Sequence, residues 1–378
     1  MTYKQDSNIL YIFGSGRAKR INEKSIDSEE FFYGYFYLKK TYQNLDYIEM
    51  RKEERPSEIS KKFLLFIDKV LRKLTNLPFY TNLICSIENY KKIKNANTIV
   101  STNDRLALSI LPMVWFGRLT SNIKLNVIVM GLFSNKKSSF ILNIFHKFLI
   151  FIILNSVNKF IFLGLGEFKN ASTNYKKYEK KFFFLPFCVD SKFWNNPENS
   201  YPNGDSILFI GNDGNREFDI AVKIAEKLPS INFNFVTSYK YDEISFPKNI
   251  KLISANWNEY LLSDKEIRNY YLDSKLTILP LKNTLQPSGQ SVTLQSMSVG
   301  TPVLITKTKG FWDNEKFEDN KNIFFINNND VDNWIKKIVS IYENEYLLKT
   351  VSKNSIKTIN ENYDINLFNN NLEEILLS

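Results

Sequence analysis

Residues 286–303 read Gln-Pro-Ser-Gly-Gln-Ser-Val-Thr-Leu-Gln-Ser-Met-Ser-Val-Gly-Thr-Pro-Val. Pro, Ser and Gly open a loop, and the segment 291–298 then carries helix-compatible residues without a break. Gly300 and Pro302 turn the chain into a strand over 302–305. A short loop, a helix and a tight turn into an apolar strand form one repeat of an α/β protein. The backbone N–H groups of Ser288 to Ser291 are expected to converge at the helix N-terminus, which makes an anion site suited to a diphosphate.

Working outward, the same alternation fills the second half. A strand over 205–210 runs into Gly-Asn-Asp-Gly, and a helix over 218–228 follows. Further strands are expected at 233–237, 250–253, 276–280 and 322–326, with a helix over 331–344 opened by Asp330. The first half repeats the pattern. Residues 9–13 (Ile-Leu-Tyr-Ile-Phe) form a strand that enters the turn Gly14-Ser15-Gly16. Helices are predicted over 28–42, 58–75 and 138–157, and strands at 98–101, 123–130, 159–163 and 181–186. Strands that are apolar throughout and alternate with helices indicate parallel sheets covered on both faces. The stretch 191–204 shifts to turn formers and reads as a linker. Two Rossmann-like halves are therefore expected, at 1–190 and 205–360, and a last helix within 361–378 packs back.

The chain has 378 residues and a net charge of +10, unevenly spread. Residues 1–200 hold 31 basic and 17 acidic side chains, a balance of +14, whereas the remainder holds 19 and 23, a balance of −4. A basic half attracts an anionic surface, either a membrane or an anionic substrate; no nucleic-acid motif accompanies the charge. The single histidine, His146, excludes a site built on several histidines and is read as a core residue. Cys85 and Cys188 fit no metal spacing and read as reduced thiols of a cytosolic protein. The start of the chain lacks an apolar signal core, and 138–157 is interrupted by Lys147, so a core helix of the first half is preferred to a span, with contact of part of it with a bilayer surface left open.

Segment 286–303 resembles the donor-binding signature of the large retaining, "group 1" class of GT-B glycosyltransferases, in the variant with Ser-Gly-Gln in its loop. Ser288-Gly289-Gln290 matches that loop, and 294–303 matches the helix and turn. Two carboxylates of the usual pattern are replaced, by Pro287 and by Gln295. Phe209-Ile-Gly-Asn-Asp-Gly-Asn-Arg-Glu-Phe-Asp219 resembles the opening of the second domain, with Arg216 as its basic residue and Lys223 a weak second. Leu185-Pro-Phe-Cys-Val-Asp-Ser-Lys-Phe-Trp194 resembles the segment between domains, which ends in Val-Asp and an aromatic.

The resemblance implies a GT-B fold that moves a sugar from a nucleotide-diphosphate sugar to a hydroxyl acceptor, such as a lipid-linked one, in glycolipid or polysaccharide synthesis. The implied donor residues are Gly14, Gly16, Asn212, Arg216, Ser288, Gly289, Gln290, Ser291 and Gln295, with the Gln295 amide on ribose. Arg216 would stabilise the leaving diphosphate, and Asp104 would meet the acceptor hydroxyl. No cofactor or essential metal is expected; Asp330-Val-Asp332 is read as a helix cap. Two alternatives stay open: a nucleotide-sugar-binding protein without transfer, and another GT-B enzyme such as a sugar-nucleotide epimerase.

Overall fold

The computed structural model describes residues 8–22, 27–51, 59–134, 140–197, 201–202, 204–239, 247–256, 259 and 261–378. In the first half, β1 (Ile9–Phe13), α1 (Arg17–Asn22), α2 (Tyr35–Thr41), β2 (Leu45–Glu49), α3 (Ile59–Thr75), α4 (Thr81–Ile84) and α5 (Ile87–Asn95) lead to β3 (Thr98–Ser101). Then come α6 (Asp104–Arg118), β4 (Lys124–Val129), α7 (Phe140–Ser156), β5 (Lys159–Phe162), α8 (Leu165–Asn174) and β6 (Phe182–Phe184). The second half runs β7 (Ser206–Ile210), α9 (Phe218–Lys227), β8 (Phe233–Thr237), β9 (Ile250–Ser254), α10 (Asp264–Leu272), β10 (Ser274–Leu279) and α11 (Gln290–Ser298). It closes with β11 (Val303–Thr306), β12 (Phe324–Ile326), α12 (Val331–Tyr342), α13 (Glu345–Asn362) and α14 (Ile365–Leu377).

Two six-stranded sheets result, in the orders β2-β1-β3-β4-β5-β6 and β12-β11-β10-β7-β8-β9, and every pair of neighbours is parallel. The apolar strands explain this. β1 and β7 are buried along their whole length, as strands covered on both faces must be. In open sheets of this kind, ligands bind beyond the carboxyl ends of the strands, where the strand order reverses. That point lies between β1 and β3 in the first sheet and between β7 and β10 in the second. Asp330 caps α12 by accepting the Asn333 N–H, as its place before the helix suggests.

Three apolar clusters hold the halves. One lies behind the first sheet, around Ile12, Ile99 and Phe162, and one behind the second, around Phe209, Ile278 and Trp334. The third is shared by both halves and includes Tyr11, Phe13, Trp194, Met297 and Trp312. The chain also crosses between the halves twice. Val189 pairs with the backbone of Tyr363 and Ile365, and α14 returns to the first half, where Tyr37 and Tyr42 donate to the Glu373 carboxylate.

The helix expected over 28–42 is broken. Glu30–Phe32 forms a 3-10 turn, Tyr33 and Gly34 adopt left-handed φ of 48° and 79°, and only then does α2 begin. Gly34 suits the break, since it adopts φ 79° without strain and an added Cβ would lie 2.8 Å from Leu372 of α14. The stretch expected as a linker is not loose at its start: Trp194 is buried, and its indole donates to Glu30 Oε1 at 2.7 Å. Glu30 Oε1 also accepts from Gln295 Nε2 at 2.9 Å, so one carboxylate joins the first half, the crossing segment and α11. Nearby, the buried Arg20 forms a two-pronged pair with Asp264 of α10, both contacts at 3.2 Å.

Burial raises the Glu30 carboxyl to about 7, against the pull of the Gln295 and Trp194 hydrogen bonds. The folded state therefore holds a proton that the unfolded chain releases near 4.5. Its stabilising contribution is full below that value and is lost as pH rises to about 7. Glu30→Gln keeps an acceptor for both N–H donors and removes the titration. Melting temperature measured from pH 4.5 to 8 should fall less steeply in this variant than in the wild type; parallel curves would show that Glu30 does not titrate in this range.

Candidate active site at the cleft between the sheets

A cavity of about 180 Å³ lies between the halves. The second half contributes Asp213 and Asn215 from the loop after β7, and residues 286–291 from the loop after β10. These are the two loops flanking the reversal of strand order in that sheet. From the first half, Phe31, Tyr33, Met130, Leu163 and Phe187 form an apolar wall. A larger hollow beside Asn8, Asp46 and Lys92 sits at the amino ends of β1 and β2, the edge opposite the cleft.

The loop 286–290 is clamped on both sides. Gln286 covers Gly131, and Pro287 covers Gly164, where an added Cβ would come within 2.9 Å. Gln290 reaches across the cleft and donates to the Leu163 carbonyl at 2.7 Å. Ser288 Oγ accepts from Asn215 Nδ2 at 2.8 Å, which leaves the hydroxyl proton free to donate. Gly289 is the N-cap of α11 at φ 79°, a conformation that glycine adopts without strain, and it provides no capping side chain. The first intrahelical bond runs from Thr293 N–H to the Gly289 carbonyl, so the amides of Gln290, Ser291 and Val292 precede it at the open end of the helix dipole.

Arg216 lies behind this loop, buried at 5 % exposure. Its Nη1 would be 3.5 Å from a Cβ on Gly289, and its Nε lies against Gly211. Nη1 is 3.1 Å from Asp213 Oδ2, close enough for an ion pair, but makes no hydrogen bond. Burial weakens the guanidinium's hold on its proton, opposed by the charge of Asp213. Arg216 is thus charge-paired with Asp213, with its Nη1 left without an aligned hydrogen bond next to an uncapped helix N-terminus.

The structure thus brings Ser288, Gly289, Gln290 and Ser291 to the cavity, with Arg216 packed behind Gly289 and not itself among the lining residues. Six other residues read from the sequence are placed differently. Gln295 is buried with its amide engaged at both ends, accepting from Tyr271 Oη at 3.1 Å and donating to Glu30, so it holds α11 in place and lines no part of the cavity. Asn212 donates to the Ala255 carbonyl and accepts from Thr237 Oγ1 and the Ser238 N–H, tying the ends of β7, β8 and β9 together. Gly14 and Gly16 form the turn after β1, but the N–H groups of Arg17 and Ala18 that follow both donate to Glu49 Oε1, at 2.5 and 2.7 Å. A carboxylate of the protein already fills that helix start. Asp104 is buried, and its Oδ1 accepts the Met130 N–H at 3.1 Å. Its carboxylate fixes the loop after β4 and does not reach the cavity. Lys223 is exposed on α9 and does not line the cavity.

Several residues of the site carry no local signal in the sequence. Asn215 pins Ser288, and Phe31 and Tyr33 reach the cleft only because the helix breaks at Gly34. Glu167 of α8 accepts the N–H groups of Gly131 and Phe133, and burial with the nearby Asp104 charge raises it to about 8. Together Asp104 and Glu167 shape the turn that meets Gln286. His146 is buried on α7, with Nδ1 3.0 Å from the Thr75 carbonyl, far from any catalytic arrangement.

Residues 256–358 match the model of the family described as Glycosyl transferases group 1. No curated protein matches the chain. Among solved structures, a sucrose-phosphate synthase from Thermosynechococcus elongatus is similar at a TM-score of 0.66 and 12% identity, over 97% of this chain and 98% of that one. Anabaena HepE in complex with UDP and glucose is similar at 0.63 and 11% identity, over 98% and 100%. A glycosyltransferase from Rickettsia africae is similar at 0.62 and 14% identity, over 98% of each. The fold is GT-B, two parallel-sheet domains facing a cleft.

Gly289→Ala should test the loop. The left-handed backbone costs any other residue about 1 kcal/mol or more, and the new Cβ would meet Ile305 and Leu281 at 3.3 Å. A melting temperature lowered by a few degrees is expected; an unchanged one would mean that Gly289 does not hold φ 79°.

Proposed function

We propose that the chain is a glycosyltransferase that moves a sugar from a nucleotide-diphosphate sugar to a hydroxyl acceptor. The observation that carries this reading is the uncapped start of α11 on the cavity, with the buried Nη1 of Arg216 directly behind it and without a hydrogen bond. A diphosphate would accept from the amides of Gln290–Val292, from Ser288 Oγ and from Arg216, and its departure from the sugar would be eased by the same donors. The matched family, and the UDP and glucose in the complex of HepE, support a nucleotide sugar as that ligand. The cavity is smaller than the roughly 300–1,000 Å³ of most small-molecule sites, so the two halves would part to admit the donor.

The chemistry follows from what faces the cavity. Asp213 is the one carboxylate among its lining residues, and it is paired with Arg216. With no free base there, the leaving phosphate oxygen would take the acceptor proton, which is the retaining route. The developing charge is met by Arg216 and the helix amides, so no metal is required. The positive balance of residues 1–200 supports an acceptor carried on an anionic surface, such as a lipid-linked precursor of a glycolipid or polysaccharide, on the cytoplasmic face of a membrane.

Arg216→Ala should weaken binding of a nucleotide sugar such as UDP-glucose by about tenfold to a hundredfold, the worth of a charged hydrogen bond. Titration calorimetry would read this, and unchanged affinity would place the phosphates elsewhere. Turnover should persist in excess chelator; its abolition would show an essential metal. Tight donor binding without hydrolysis or transfer would instead mark a binding protein, and isomerisation of the donor without any acceptor would mark an epimerase.

A further inference from the structure

α3 and α7 are neighbours, joined where His146 Nδ1 meets the Thr75 carbonyl. Each turns apolar side chains to solvent. On α3 these are Ile59, Phe63, Phe66 and Val70, exposed by 85, 63, 64 and 39%. Their spacing of four, three and four residues puts them on one helix face. On α7, Ile144, Phe148 and Phe151 repeat the spacing, with Phe145 beside them, all exposed by more than 40%. A single exposed Phe is ordinary, whereas matched stripes on two adjacent helices form an apolar patch that calls for an occupant.

Charge identifies that occupant. Lys62, Lys69 and Lys73 are exposed and follow one edge of the α3 stripe, and Lys147 is exposed on α7. The one acid on either helix, Asp68, is buried and accepts the Asn82 N–H. A second copy of the chain would set the same positive charge against itself. Duplex nucleic acid would engage the lysines but leave the phenylalanines in water, and the aliphatic Ile59, Val70 and Ile144 offer no ring for an unpaired base to stack on. An anionic lipid surface takes both, with rings at the boundary of the acyl chains and lysines on the phosphates. Among the described residues, no helix is long and apolar enough to cross a membrane, so contact would be from one side.

We infer that α3 and α7 dock the protein on an anionic phospholipid surface. α7 follows β4, whose carboxyl end leads into Met130 of the cavity lining. Docking would therefore hold the cleft near the lipid, and the acceptor would be a hydroxyl-bearing amphiphile in that surface; this last step rests on the proposed transfer reaction.

The test is sedimentation of the full chain with vesicles of phosphatidylcholine alone, or with about one third phosphatidylglycerol. The wild type should bind the anionic vesicles and release in high salt. Phe63→Ser/Phe66→Ser/Phe148→Ser/Phe151→Ser, and separately Lys62→Glu/Lys69→Glu/Lys73→Glu, should each bind at least about tenfold less tightly. Melting curves and UDP-glucose affinity should be unchanged in both variants, since all seven positions are exposed and outside the cavity. Docking is overturned if the wild type ignores anionic vesicles, if both variants bind as well as it does, or if the wild type is a dimer that the serine variant dissolves. Vesicle binding without nucleotide-sugar binding would uphold docking and defeat the transfer reaction instead.

Discussion

Glu30 sits where three parts of the chain meet. One buried oxygen accepts from Trp194 of the crossing segment and from Gln295 of α11, and Tyr271 completes the chain of hydrogen bonds by donating to Gln295. A buried carboxyl is costly unless its partners are well placed, and here they are placed by both sheets at once. The consequence is positional. α11 is fixed by its middle, so its N-terminus stays aimed at the cleft. The Gln290 and Pro287 contacts with Leu163 and Gly164 then set the loop against the first half.

The rest of the site inherits that placement. Arg216 is held by Gly211 on one side and Gly289 on the other, two glycines with positive φ that let the guanidinium approach the backbone. Asn215 pins Ser288 from the same loop that carries Arg216. On the first half, Asp104 and Glu167 hold the turn at Met130–Phe133 without entering the cavity. The groups proposed to meet an anion therefore come from the second half, and the first half supplies an apolar wall. This division suits a donor bound largely by one half and an acceptor approached from the other.

What the sequence revealed depended on range. Most of both sheets was legible because the central strands are apolar along their length, whereas the edge strand β2, with Asp46 and Glu49 in its five residues, was not read. The loop at 286–291 was legible because its glycine, its helix start and its turn are contiguous. Gln295 was not, since its partner Glu30 is 265 residues away and no local pattern couples an amide to a distant carboxyl. The same holds for Gly14 and Gly16: the turn is written locally, but Glu49, which fills the helix start after it, comes from the next strand. Gly34 is the instructive case. It stands inside a stretch of aromatic residues that favours one helix, yet the helix breaks there, with Gly34 at φ 79° and close against Leu372.

Hydrogen exchange at the amides of Gln290, Ser291 and Val292, with and without UDP, addresses the placement of the nucleotide most directly. Those N–H groups precede the first intrahelical bond of α11. If a diphosphate accepts from them, their exchange slows on addition of UDP while that of α1 stays unchanged. Slowing confined to α1 or to the hollow beside Asn8, or no slowing anywhere despite binding, would contradict a nucleotide site at the start of α11.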